Sequence, residues 1–274
     1  MLHTDLFRPD NLKDASKPAF QIERGNTCAG VNAAILEYLV NNLPGSGQLR
    51  FLDVPCGDGS FLLSAKRLFP LSEVVGADIE PQTNKPGKPD KFCKFDAARQ
   101  RLPENIGKFD VITSISGIME FGNTQFFLSN LCDLLKDSGI LIISNDNLIS
   151  VRDRLLYLLF GRTGQYPGIA SRNNPTWKPI PIAALLRLAI EAGLEPVNLF
   201  FVLPGRSEFL WSPLAIPVYC IQMIYDKLSG FDARNEFGFR LHPLISLYSR
   251  HYFITCRKRT ITEIGENRSG SNAK

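Results

Sequence analysis

Residues 49–69 constrain the fold of this chain more than any other stretch. Leu49 to Val54 is an apolar run with the length of a buried strand, and Pro55-Cys-Gly-Asp-Gly59 then turns the chain sharply. From Ser60 the period becomes helical, with Phe61, Leu62, Ala65, Leu68 and Phe69 at three- and four-residue spacings. Glycine at 57 and 59 permits the tight turn and leaves no Cβ between the main chain and a ligand. Such a strand–turn–helix brings free backbone N–H groups to the carboxyl end of a parallel strand, where α/β folds bind ligands.

Composition limits what can surround this unit. The 274 residues suit one large α/β domain, or one domain with an elaboration. A chain of that length buries most of its apolar surface without staples. Hydrophobic and charged fractions of 44% and 21% are those of an ordinary globular protein. A net charge of +4 with no long basic block argues against nucleic acid as a partner. The six cysteines (28, 56, 93, 132, 220, 256) are scattered without a C-x-x-C pair, so they read mostly as reduced, buried thiols, and no zinc or other metal site is expected. Met1 to Gln21 carries no apolar leader, and the expected location is cytoplasmic.

Along the chain, residues 1–26 read as an irregular N-terminal extension, 27–257 as the main domain and 258–274 as a polar tail. Thr27 is expected to cap a helix reaching Asn42, which Pro44-Gly-Ser-Gly47 ends. Strands are expected at 49–54, 73–78, 91–95, 109–115 and 140–144. A helix is expected over 123–136, with Asp137-Ser-Gly139 as its stop. Three prolines between Pro81 and Pro89 shorten the crossover after the second strand to a loop. Beyond strand five, residues 147–180 read as a helix and a polar loop. A helix over 181–192 and a strand over 194–203 follow, then an insertion at 204–250 and a last strand from His251 to Cys256. Alternating strands and helices with short turns predict a parallel, doubly wound sheet.

Three carboxylates fall at or near the ends of successive strands: Asp53, Asp78 and Asp96. One at the end of strand two accepts both hydroxyls of a ribose. One after strand three accepts from an exocyclic amine, and Asp53 suits an amino or cationic group. A pyrophosphate, by contrast, wants bare N–H groups and no carboxylate nearby. Leu62 also stands where G-x-G-x-x-G would place its third glycine. The ligand expected is a nucleoside with a positively charged tail.

Phe51-Leu-Asp-Val-Pro-Cys-Gly-Asp-Gly-Ser-Phe61 resembles the first motif of class I S-adenosylmethionine-dependent methyltransferases, Val75-Gly-Ala-Asp78 their second, and Phe95-Asp-Ala97 the segment that meets adenine. Phe109–Glu120 together with Leu134–Ser144 resembles their strand-four to strand-five block, and the likeness covers about 49–146. More narrowly, Pro55-Cys-Gly57, the short second crossover and Gly117-Ile-Met-Glu120 look like bacterial methyltransferases of polysaccharide or lipid biosynthesis. Two positions depart from the pattern. Pro55 replaces a glycine, and Phe121 stands where many relatives carry a histidine, which removes the obvious general base.

The resemblance implies a Rossmann-like, seven-stranded and mostly parallel α/β sheet with helices on both faces, its last strand antiparallel and a helical insertion between strands six and seven, and it implies S-adenosyl-L-methionine as cofactor. Asp53, Cys56, Gly57 and Gly59 would line its methionine moiety, Asp78 its ribose, Ile79 its adenine face, and Asp96 and Ala97 the adenine edge, with Ser114 and Ile115 flanking the sulfonium. The implied reaction is in-line methyl transfer to an oxygen of a sugar, lipid-linked or other small-molecule acceptor; N-methylation of a small amine and a catalytically silent, cofactor-binding partner are the alternatives. Glu120 is the first candidate for removing the acceptor proton or holding the acceptor, with Asn145 and Asp146 behind it. Tyr166, Arg172 and Trp177, on a long polar loop, are candidates for contacting the acceptor. His251 reads as structural. Residues 209–225 are apolar but broken by Pro213 and Pro217, and shorter than the roughly 20 residues a bilayer span needs. They read as a buried helix or homodimer contact ahead of a peripheral membrane element.

Overall fold

The computed structural model describes residues 22, 25, 27–44, 47–80, 88–166, 178–202, 205–230 and 237–259. In chain order these form α1 (Val31–Asn42), β1 (Arg50–Asp53), α2 (Ser60–Leu68), β2 (Glu73–Asp78), β3 (Lys91–Lys94), β4 (Phe109–Ile115), α3 (Thr124–Leu134) and β5 (Leu135–Asp146). They continue as α4 (Val151–Phe160), α5 (Ile182–Glu191), β6 (Leu194–Phe201), α6 (Ser212–Ser229) and β7 (His251–Lys258). The strands make one sheet in the order β3-β2-β1-β4-β5-β7-β6. Its first five strands are parallel, and β7 runs antiparallel to both β5 and β6. Order reverses at β1, next to β4, which opens a crevice at the carboxyl ends of these strands.

The alternation of strand side chains makes two cores. Phe51, Val74, Val111 and Ile142 pack beneath α1 and α2, while their neighbours Leu52, Val75, Ile112 and Leu141 pack beneath α3 and α5. Near-continuous apolar runs are what a sheet covered on both faces requires. On the α1 side, Phe200 stacks on Phe253 at 4.9 Å between ring centroids, and Tyr38 leans on Phe200 at 5.3 Å. Each such buried ring contributes about 1.5–3 kcal/mol and ties α1 to the antiparallel end of the sheet.

Two expected boundaries move. Gly30, at φ +88°, precedes α1 and no side chain caps it. Thr27 instead directs its hydroxyl to Ser116, 2.6 Å away. Asp137-Ser-Gly139 is not a helix stop followed by a strand, because α3 ends at Leu134 and β5 begins at once. Leu135 pairs with Phe109 while Ile140 pairs with Val111, so residues 136–139 bulge out of β5. Lys136 uses this excursion to bond Asp110, 2.9 Å away. The expected insertion between strands six and seven carries a 3₁₀ turn (Arg206–Trp211) and α6. Among the described residues, no helix is long and apolar enough to cross a membrane.

Candidate cofactor and acceptor site

A cavity of about 420 Å³ opens at the carboxyl ends of β1, β2 and β4. The turn after β1 makes its floor. Gly57 and Gly59 both have positive φ (+53° and +75°), and Gly59 starts α2. Two further glycines let this turn seat. A Cβ on Gly76 would lie 2.9 Å from Cys56 Sγ, and one on Gly117 would lie 2.3 and 2.4 Å from Pro55 Cδ and Cγ. The Pro55 ring therefore leaves room only for glycine at position 117.

Asp78 ends β2 and is almost buried. Its Oδ2 accepts from the Gly57 N–H at 2.8 Å and its Oδ1 from the Glu80 N–H at 3.1 Å. Each carboxylate oxygen still has an acceptor site, which is what a pair of vicinal hydroxyls needs. Ile79 beside it is 58% exposed at the cavity wall, a bare apolar face of the kind a purine ring covers. Asp96 folds its Oδ1 back onto the Ala98 N–H at 3.0 Å, which fixes the loop after β3 with Asp96 and Ala97 at the wall. Asp53 is buried and accepts from the Thr113 hydroxyl at 2.7 Å. Burial, reinforced by the charges of Asp78 and Asp58 and opposed by that hydrogen bond, pushes its carboxyl up to about 8.

Six carboxylates line the cavity: Asp53, Asp58, Asp78, Glu80, Asp96 and Glu120. Among the described residues, no lysine or arginine does. A wall of acceptors with this charge suits a cationic ligand rather than an anionic one. Cys56, Gly57 and Ile115 also line the cavity.

The other anticipated residues lie elsewhere. Gly59 is one step outside the wall. Ser114 is fully buried within the sheet, and Ser116, two residues on, takes the wall position. Glu120 lies at the wall with an exposed side chain; partial burial of its carboxyl and then the Asp78 charge raise its proton affinity. Asn145 is buried, and its amide donates to the Ile180 carbonyl at 3.2 Å. Asn145 and Asp146 border a much smaller neighbouring cavity together with Tyr166 and Lys178. Arg172 and Trp177 lie outside the described residues.

Sequence reasoning named Asp146 but not the groups that it meets behind the wall. Ser116 Oγ lies 2.6 Å from Thr27 Oγ1 and 3.0 Å from His251 Nε2. His251 Nδ1 lies 3.0 Å from Asp146 Oδ1, in ion-pair contact but with the ring N–H off the line to the oxygen. Ser116 alone among the described non-glycine residues has a positive φ, +54°. The signal available in advance was His251 heading the last strand, a position that pairs with the end of strand five in this topology.

A family profile described as a methyltransferase domain matches residues 20–199. A demethylmenaquinone methyltransferase of Deinococcus radiodurans is 30% identical over 100 residues, 34% of this chain and 42% of that protein. The secondary metabolism regulator laeA of Coprinopsis cinerea is 31% identical over 96 residues, 33% of this chain and 23% of that one. The matches thus span less than half of either relative. Among solved structures, a methyltransferase from Archaeoglobus fulgidus superposes with a TM-score of 0.50 at 17% identity, over 83% of this chain and 93% of that one. The [4+2]-cyclase SpnF gives 0.50 at 17%, over 88% and 89%. These likenesses are of fold, and a cyclase among them separates fold from reaction.

Proposed function

Since this chain belongs to the methyltransferase-domain family, with S-adenosylmethionine as its donor, we propose that it methylates a hydroxyl oxygen of an uncharged, lipid-linked sugar or similar small acceptor. One observation carries this reading: among the described residues the cavity is walled by carboxylates with no cationic side chain, so it repels anionic acceptors and offers hydroxyl groups many hydrogen-bond acceptors. Bound there, S-adenosylmethionine supplies the methyl group as an electrophilic carbon on its sulfonium. Asp78 and Asp53 would hold its ribose and ammonium, Ile79 and Ala97 its base, and the glycine turn its methionine part. Glu120 holds the acceptor from the side of Asp78. The chain's task is alignment and exclusion of water.

The lipid link draws on a second feature. α6 turns Ala215 and Asp226 inward and leaves Ile216, Ile221, Ile224, Tyr225 and Leu228 exposed, which inverts the usual amphipathic order. The last turn of α4 adds Tyr157, Leu158, Leu159 and Phe160. Four consecutive exposed residues make that helix end apolar all round. Such a tip suits insertion among lipid chains better than a flat contact with a second copy, and exposed Arg162, Arg206 and Lys227 nearby in sequence suit anionic headgroups.

The test is release of S-adenosylhomocysteine by the full chain, with soluble sugars, small amines and a detergent-dispersed bacterial lipid extract as acceptors. Turnover with the lipid extract supports the reading. Turnover with amines alone transfers it to nitrogen, and no turnover with any acceptor despite cofactor binding makes the chain a silent partner. Flotation with vesicles containing phosphatidylserine, lost in Leu158→Glu/Leu228→Glu, tests the surface; a dimer that these substitutions dissociate would overturn it.

A further inference from the structure

We propose that Ser116, His251 and Asp146 form a relay that takes the proton of the acceptor hydroxyl, Ser116 touching the acceptor and the other two acting through it. The proposal rests on the reading that a hydroxyl is methylated.

Position comes first. Ser116 lines the cavity, whereas His251 is 3% exposed behind it. The sheet itself assembles the group. Antiparallel register pairs Asp146 of β5 with His251 of β7, and Ser116 follows β4, which lies on the other side of β5. The Ser116 N–H donates to Ser144 Oγ at 3.1 Å, which anchors the backbone that carries the hydroxyl.

Direction follows from donors and acceptors. Asp146 Oδ1 lies 3.0 Å from Nδ1, near enough to accept a proton held there once the ring turns onto the line between them, and that tautomer would leave Nε2 as an acceptor. Ser116 then donates to Nε2 across 3.0 Å and accepts from Thr27 across 2.6 Å. A hydroxyl has two lone pairs, so one acceptor site on Ser116 stays available to an incoming hydroxyl. Asp146 is the charged group facing the ring; the Tyr252 phenol, next along β7, turns to Asn145.

Strain supplies the third observation. A serine at φ +54° costs free energy that a merely structural histidine–carboxylate pair would not demand, and such outliers cluster at working sites. Glu120 fits the role less well. The charge that perturbs it is Asp78, so it sits toward the ribose rather than toward Thr27 and β7.

In the step, a bond forms between the acceptor oxygen and the methyl carbon, and the carbon–sulfur bond of the donor breaks with its electron pair left on sulfur. The acceptor proton passes to Ser116 Oγ as the Ser116 proton passes to His251 Nε2. The imidazolium so formed is steadied by Asp146 until the proton returns to solvent.

The chain holds three histidines, so ¹⁵N spectra of the imidazoles resolve His251 by comparison with His251→Asn. With S-adenosylhomocysteine bound at pH 7.5, the expected result is a neutral His251 protonated on Nδ1, with Nε2 hydrogen-bonded but bare. In Ser116→Ala the Nε2 resonance should shift while the S-adenosylhomocysteine Kd stays within about twofold. A His251 protonated on Nε2, an imidazolium throughout, or an Nε2 resonance unmoved by Ser116→Ala would each overturn the relay. If calorimetry finds no binding of S-adenosylhomocysteine to the intact chain, the cofactor reading fails instead, and the two failures are told apart.

Discussion

Binding of S-adenosylhomocysteine at pH 7 should expel a proton from Asp53. The carboxyl is 2% exposed and burial, more than any neighbouring charge, pushes it up to about 8. One unit below that value, about nine in ten molecules carry the proton. The ligand's ammonium favours the ionised form, so about 0.9 proton leaves for each ligand bound, and the site at pH 7 binds about tenfold more weakly than with Asp53 ionised. The sign is fixed: the neutral form dominates below the raised value, so affinity climbs from pH 6 to pH 8 and levels off above. There the ligand's own amino group, with an ordinary pKa of about 7.7–8.0, begins to lose its charge. Calorimetry at pH 7 in two buffers of different ionisation enthalpy counts the protons. Asp53→Asn keeps the oxygen that accepts from Thr113 and should show no expulsion. Equal proton counts in wild type and Asp53→Asn, or an affinity flat from pH 6 to 8, would refute the reasoning.

Gly117→Ala puts a methyl against the Pro55 ring, which cannot yield without moving the turn. A loss of about 1–3 kcal/mol in stability together with weaker S-adenosylhomocysteine binding is expected, measured by denaturant unfolding and calorimetry. Ser116→Gly and Ser116→Ala lose the same hydroxyl but only glycine relieves the φ of +54°, so the glycine variant should be about 1 kcal/mol the more stable of the two in urea melts. Arg50 bonds Glu73 and the Lys108 and Ile106 carbonyls at the amino end of the sheet. Arg50→Met should cost about 1–3 kcal/mol of stability and leave S-adenosylhomocysteine affinity unchanged.

The strands were legible because each is an apolar run bounded by Gly, Pro or Asp, and their order fixed which carboxylates meet at the switch point. That Asp53, Asp78 and Asp96 share one cavity wall was legible for that reason: a strand end is a position in sequence and in space at once. The start of α1 was misread because Thr27 has the chemistry of a cap but spends its hydroxyl on Ser116, 89 residues away. The bulge at 136–139 was misread because Asp-Ser-Gly is the same signal whether a helix stops or a strand detours. Asp146 and His251 are apart by more than a hundred residues, and only antiparallel register joins them. Local pattern carries no trace of such a pairing, so His251 read as structural.

The ring of carboxylates has a consequence for the end of the reaction. Methyl transfer removes one positive charge from the cofactor while the six acidic side chains stay where they are. If the cavity takes S-adenosylmethionine as proposed, its wall loses part of its hold on the spent nucleoside, and the difference is largest where water is excluded. Such a site would tell fresh cofactor from used by charge, which would keep product from occupying the crevice at the donor's expense.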